Sequence, residues 1–95
     1  MAAYIIVDIQ VEDPGRHEEY KKLAAPTVAA YDGEYVVRGG AAEVLVGEWQ
    51  LGGVVVLEFP KVERAREWWD SDAYGEAKWI RCESAESNMI VVESV

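Results

Sequence analysis

Two short runs of this chain are apolar at successive positions rather than at alternate ones. Residues 4–11 read Tyr-Ile-Ile-Val-Asp-Ile-Gln-Val, and residues 54–59 read Val-Val-Val-Leu-Glu-Phe. Their β-branched and aromatic content, bounded by turn-forming residues, predicts strands. Side chains of a strand alternate between its two faces. Tyr4, Ile6, Val54 and Val56 therefore lie on one side, and Ile5, Val7, Ile9, Val55, Leu57 and Phe59 on the other. A sheet with one face in water alternates apolar with polar. These strands need cover on both faces, which limits the arrangements open to the remaining residues.

The rest of the chain supplies two helical zones and two further strands. Asp13 is an N-cap with Pro14 at the first helical position, where its missing N–H costs nothing. Tyr20, Leu23, Ala24, Thr27, Val28 and Tyr31 then recur at helical spacing. Pro26 interrupts that pattern and predicts a kink or break near Ala25, and Gly33 is suited to the left-handed position after the helix. Residues 34–38 form a second strand that Gly39-Gly40 ends or bulges; residues 42–49 form an extended arm or hairpin before the turn at Gly52-Gly53. After Pro60 a second helical zone carries Ala65, Trp68 and Trp69 on its apolar side. Asp70-Ser71-Asp72 offers a fresh N-cap, and Ala73, Ala77 and Ile80 continue a stripe with Tyr74 and Arg81 beside it. Residues 88–93 make the last strand. The order is strand, helix, strand, strand, helix, strand. That is the ferredoxin-like βαββαβ arrangement, an α+β fold with an antiparallel sheet in order 4-1-3-2 and its helices on one face.

Helices on one face leave the other apolar face bare, and a second copy packed sheet to sheet is the economical cover. A chain of 95 residues is one domain, residues 1–95, and buries only about 60–65% of its unfolded surface, so a partner subunit would help it. The net charge of −9 repels phosphate backbones and anionic lipid, which argues against nucleic acid and membrane surfaces as partners. One cysteine, Cys82, excludes an intrachain disulfide and a cysteine-rich zinc site. The residues from Met1 onward lack a basic stretch followed by a long apolar one, and no segment is apolar enough to span a bilayer. A cytoplasmic homodimer is the expectation.

Several blocks in a fixed order resemble a known family. They are Asp13-Pro14, residues 31–40 (Tyr-Asp-Gly-Glu-Tyr-Val-Val-Arg-Gly-Gly), Glu48-Trp49, residues 55–60 (Val-Val-Leu-Glu-Phe-Pro) and residues 71–74 (Ser-Asp-Ala-Tyr). Together they resemble the largely bacterial family known as domain of unknown function 1330, within the dimeric α+β barrel superfamily. The resemblance runs essentially the whole length and implies a ferredoxin-like subunit in a homodimeric barrel. It implies no reaction, because the superfamily includes cofactor-free monooxygenases of aromatic polyketides, muconolactone-type isomerases, haem-degrading and chlorite-converting enzymes, and members without known activity. Trp68-Trp69 departs from such relatives, where a single aromatic is expected.

The residues that could carry chemistry are few. His17, the one histidine, is a speculative base at the border of the inward face of the first helix; the competing reading is a surface histidine in the first turn. It lacks a second histidine or a carboxylate cluster at ligand spacing, so no metal is expected, and the haem-binding relatives place their ligand elsewhere. Glu58, opposite in face to Phe59, is a second speculative proton acceptor if burial raises its pKa; otherwise it pairs with an arginine. Arg38 ends the second strand and reads either as a fork for an anion or as the ion-pair partner of Asp8, about 10 Å away across two strand spacings.

Trp69 is placed on the core side of the second helical zone, lining a pocket, whereas Trp49 and Trp79 suit an interface. Tyr74 and Arg81, two helical turns apart, share a face and suit a carboxylate or phenolate, or else bond to the sheet edge. Ser71 reads as a cap and Cys82 has no activating context. The reading favours binding of a small aromatic or anionic molecule between sheet and helices through Arg38, Trp69, Tyr74 and Arg81, without a cofactor. Cofactor-independent oxygenation or isomerisation of such a compound is the alternative, and a purely structural or interaction module is the third.

Overall fold

A computed structural model describes residues 2–40, 42–48 and 53–94. The elements are β1 (Ala3–Val11), α1 (Pro14–Ala30), β2 (Glu34–Gly40), β3 (Gly53–Phe59), α2 (Val62–Trp69), α3 (Asp72–Ser84) and β4 (Ala85–Glu93). The sheet runs β2-β3-β1-β4 with every neighbouring pair antiparallel, the expected ferredoxin-like order. The two central strands are those whose sequences are apolar on both sides.

The helices cover one face. Ile5, Val7, Ile9, Leu57 and Phe59 from the sheet meet Ala24, Val28, Ala65, Trp68, Tyr74 and Ala77 in one buried cluster. Aromatic rings dominate it: Trp68 lies 4.1 Å from Tyr74 and 5.6 Å from Phe59, centroid to centroid. The indole N–H of Trp68 is satisfied inside the core. It donates to the Thr27 hydroxyl at 3.0 Å, and that hydroxyl donates to the Ala24 carbonyl at 2.6 Å.

Among the described residues the opposite face has no covering element. Ile6 pairs with Val56 and Ile90, and Tyr4 with Glu58 and Val92, so these side chains share that face. Ile6, Val54 and Val56 are half-buried by their neighbours alone, while Val37, Ile90 and Val92 are exposed, Ile90 at 57%.

Local signals explain the element ends, with four corrections to the sequence reading. At the start of α1 the Asp13 carboxylate accepts from the Arg16 amide at 3.2 Å, with Pro14 in the first turn as expected. α1 does not break at Pro26 but runs on to Ala30. Pro26 and Lys22 are both exposed, so the carbonyl deprived of its donor lies toward the solvent side of the helix. The left-handed residue after α1 is Asp32, at φ 66°, rather than Gly33. The Asp32 amide donates to Ala29 and the Gly33 amide to Val28, which closes the helix. In α3 the buried residues are Tyr74, Ala77, Ile80 and Arg81, while Ala73 is exposed; the larger phenol occupies the core position. β4 begins at Ala85, three residues before the expected start.

The Ser71 hydroxyl caps α3 by accepting from the Tyr74 amide at 3.1 Å, as read from the sequence. Residues 42–48 carry neither helix nor strand and leave Leu45 and Val46 about 90% exposed; no hairpin ladder forms there. Trp49 lies outside the described residues.

Gly33 is required for space, since a Cβ there would stand 2.7 Å from both Phe59 and Val28. Both neighbours are fully buried, so neither side chain can swing aside cheaply. Gly33→Ala is expected to lower stability by about 1–3 kcal/mol with the fold retained, as measured by urea unfolding followed by tryptophan fluorescence.

Candidate functional site

Between α1 and the helix-facing side of the sheet lies a cleft of about 690 Å³. Its floor is apolar, made of Val7, Ile9, Val55, Leu57 and Met89, and α1 contributes His17, Tyr20, Lys21 and Lys22 to its wall. Tyr35 and Arg38 of β2 complete it.

An irregularity in β2 brings those last two residues together. Residues three apart in a regular strand point to opposite faces. Here the register shifts between Tyr35 and Val37, so Tyr35 pairs with Leu57 while Arg38 pairs with Val55. Leu57 and Val55 are two apart and share the helix-facing side, and the bulge turns Tyr35 and Arg38 to that side with them. The Arg38 guanidinium then stacks over the Tyr35 ring, its Cζ 4.6 Å from the ring centroid.

The α1 wall is also ordered by aromatic contact. His17 stacks on Tyr20 with centroids 5.5 Å apart, and the Tyr20 hydroxyl lies 3.1 Å from that of Tyr74. The His17 Nδ1 is buried and has no hydrogen-bond partner among the described residues. Burial, and after it the positive charge of Lys21, hold the His17 pKa below its ordinary 6.5, so the imidazole is neutral near pH 7. Burial likewise raises the phenol pKa values of Tyr20, Tyr35 and Tyr74; Arg38 opposes the rise at Tyr35, and Arg81 opposes it at Tyr20 and Tyr74. All three stay protonated hydroxyls across the neutral range.

The residues singled out from sequence divide among several places. Arg38 and His17 line this cleft. Trp69 lines a smaller hollow of about 310 Å³ with Ile5, Ala65, Arg66 and three β4 residues. It is Trp68, rather than Trp69, that occupies the core side of α2, while Trp69 stands half-buried at the flank. Tyr74 and Arg81 are buried and line neither space. They adjoin Trp69, whose ring lies 5.9 Å from Tyr74 and 5.6 Å from the Arg81 guanidinium. Arg81 donates to the Ser87 hydroxyl at the start of β4, and its Nε has no partner among the described residues.

The pairing of Asp8 with Arg38 fails on which face each residue occupies. Asp8 pairs with Val54 and Arg38 with Val55, so the two lie on opposite faces of the sheet and are not an ion pair. Glu58 lies on the face opposite Phe59, the one the helices leave open, and accepts from the Tyr4 hydroxyl at 3.2 Å. Trp79 is 64% exposed on α3 and Cys82 is exposed. No group of three or more His, Cys, Asp or Glu is arranged to hold a metal among the described residues. No described helix is long and apolar enough to cross a membrane.

Tyr20 and Tyr35 were missed as cleft residues. Tyr20 appeared only as part of the helical stripe. Tyr35 sat inside a strand whose parity the bulge alters.

The chain matches the family described as domain of unknown function (DUF1330) over residues 2–95, and it belongs to that family. No curated protein matches it. Among solved structures it is similar to a protein of unknown function from Rhodopseudomonas palustris, with 18% identity over 99% of this chain and 82% of that one, at a TM-score of 0.79. It is also similar to SnoaB, a cofactor-independent oxygenase from Streptomyces nogalater, with 11% identity over 99% and 93% of the two chains and a TM-score of 0.65. A dimeric ferredoxin-like protein of unknown function from Thermobifida fusca gives 14% identity over 97% and 90% at the same TM-score. At these identities the likeness establishes the fold.

The neutral state of His17 has a consequence for stability. Its folded pKa is below 6.5, so on the acid side of 6.5 the unfolded chain binds more protons at this position. Stability contributed here is present above 6.5 and is lost as pH falls toward the folded value. His17→Gln is expected to flatten that part of the stability–pH profile relative to the parent, measured by urea unfolding at a series of pH values, with NMR titration of His17 giving the folded pKa directly.

Proposed function

We propose that this DUF1330 member is a cytoplasmic, single-domain protein that acts as a homodimer and binds a small aromatic or anionic molecule in the α1–sheet cleft. The observation that carries the reading is the cleft itself: an apolar floor large enough for a fused-ring compound, walled by Tyr20 and Tyr35, with Arg38 and His17 at its side. Flat apolar ligands suit such a floor, and a guanidinium stacked on an aromatic ring suits a negative substituent.

The dimer rests on the uncovered face, where Ile6, Val54, Val56, Ile90 and Val92 form an apolar surface. A second copy packed there is the cover this surface lacks. The dimeric ferredoxin-like neighbour from Thermobifida fusca supports this assembly. A free, exposed Cys82 thiol suits a reducing compartment.

A second reading, cofactor-independent oxygenation, has one observation in its favour: the fold shared with SnoaB. In such chemistry the substrate supplies the electrons while the protein positions it and moves a proton, a role open to neutral His17.

Two experiments test these statements. Sedimentation equilibrium is expected to give twice the 10.6 kDa subunit mass, and Ile6→Lys on the uncovered face is expected to return the single subunit. A thermal-shift screen of fused-ring acids and phenols is expected to yield compounds that raise the melting temperature of the parent and raise it less in Arg38→Ala. A screen in which no such compound stabilises the protein would overturn the binding reading. Oxygen uptake with a stabilising compound, abolished in His17→Gln, would favour the second.

A further inference from the structure

We infer that the cleft selects a carboxylate-bearing planar compound, that Arg38 reads the charge, and that Tyr35 is the positioning residue that holds Arg38 ready. The inference rests on the binding reading above and narrows it to one ligand class.

The chain carries 18 acidic and 9 basic side chains. Yet the described lining of the cleft includes Lys21, Lys22 and Arg38 against one acid, Glu18. Glu18 is engaged by Lys21 at 2.7 Å. In a protein of net charge −9, this wall carries more basic than acidic side chains, which favours anions over cations there.

Arg16 and Arg64 each engage two carboxylates. Arg38 has no carboxylate within 4 Å among the described residues, and its contact is the Tyr35 ring. Stacking fixes the plane of the guanidinium while leaving its N–H edge uncommitted. That edge matches the two oxygens of a carboxylate, which takes paired hydrogen bonds from it. Because the stack favours one orientation of the guanidinium beforehand, less entropy is lost when the ligand arrives than for an unstacked arginine. His17 Nδ1, buried and without a partner on the same cleft, is a second polar atom that a ligand can satisfy. The apolar floor and the phenol rings of Tyr20 and Tyr35 call for a flat hydrocarbon body behind that charge.

The test uses 2-naphthoate and its uncharged counterpart 2-naphthamide, nearly equal in size and shape, titrated by calorimetry into the full chain at low and at raised salt. The expected result is naphthoate binding at least about tenfold tighter than naphthamide, with the difference shrinking at raised salt. Arg38→Gln is expected to bring the two compounds within about twofold of each other while naphthamide binding is kept. Tyr35→Leu is expected to lose most of the preference, and Tyr35→Phe, which keeps the ring, to retain it. Arg38 is exposed, and circular dichroism verifies that each variant is folded.

Equal binding of the two compounds by the parent would overturn the inference and leave the binding reading standing. A preference that survives in Arg38→Gln would overturn the assignment of Arg38. A preference retained in Tyr35→Leu would overturn that of Tyr35. Binding of neither compound at millimolar concentration would overturn both this inference and the reading beneath it.

Discussion

The ladder between β1 and β3 is the constraint on which the rest of the structure depends. These strands sit in the middle of the sheet, and each presents apolar side chains to both faces. A fold that covers one face with helices satisfies half of that demand within the chain. The covered half becomes the aromatic core around Phe59, Trp68 and Tyr74. The other half remains, among the described residues, a surface of valine and isoleucine, and its burial would require a further partner. The fold, the proposed assembly and the cleft above Val7 and Leu57 thus share one origin.

The cleft exists because α1 and α3 do different work. α3 and α2 deliver large rings, Trp68 and Tyr74, flush against the sheet and leave little space there. α1 contributes the small side chains Ala24 and Val28 to the core, with Tyr20 and Leu23 only partly buried at its margin. Toward the N-terminal half of α1 the sheet beneath is therefore incompletely filled. Polar groups that reach the gap meet low-dielectric surroundings, which keeps His17 neutral and the phenols protonated.

The sequence made the element order and sheet topology readable because both rest on periodicity, which one chain displays in full. Tyr20, Leu23, Ala24, Thr27 and Val28 announce their helix face, and the two strand classes announce which strands are central. Individual placements were harder wherever a one-residue offset decides the outcome. Asp32 takes the left-handed turn while Gly33 yields space to Phe59, and adjacency alone does not separate those roles. Trp68 and Trp69 are neighbours on a helix, and only packing against Thr27 and Phe59 settles which one enters the core. The site suffered most from this. Arg38 was singled out, but Tyr35 was not, because the strand-parity rule puts residues three apart on opposite faces and the bulge suspends that rule. Asp8 was offered as a partner for Arg38, and two-residue alternation carries it to the bare side, where Glu58 also lies opposite in face to Phe59.

The uneven pairing of β2 also bears on how copies of this chain meet. β2 is an edge strand, and an edge offers unpaired amides and carbonyls to any strand that drifts alongside. Its register slips twice, between Tyr35 and Val37 and again between Arg38 and Gly40. A newcomer seeking continuous hydrogen bonding along that border finds the spacing broken at each slip. Lateral growth of the sheet into longer ribbons is thereby discouraged, which leaves face-on contact as the orderly route for the proposed pairing of two copies.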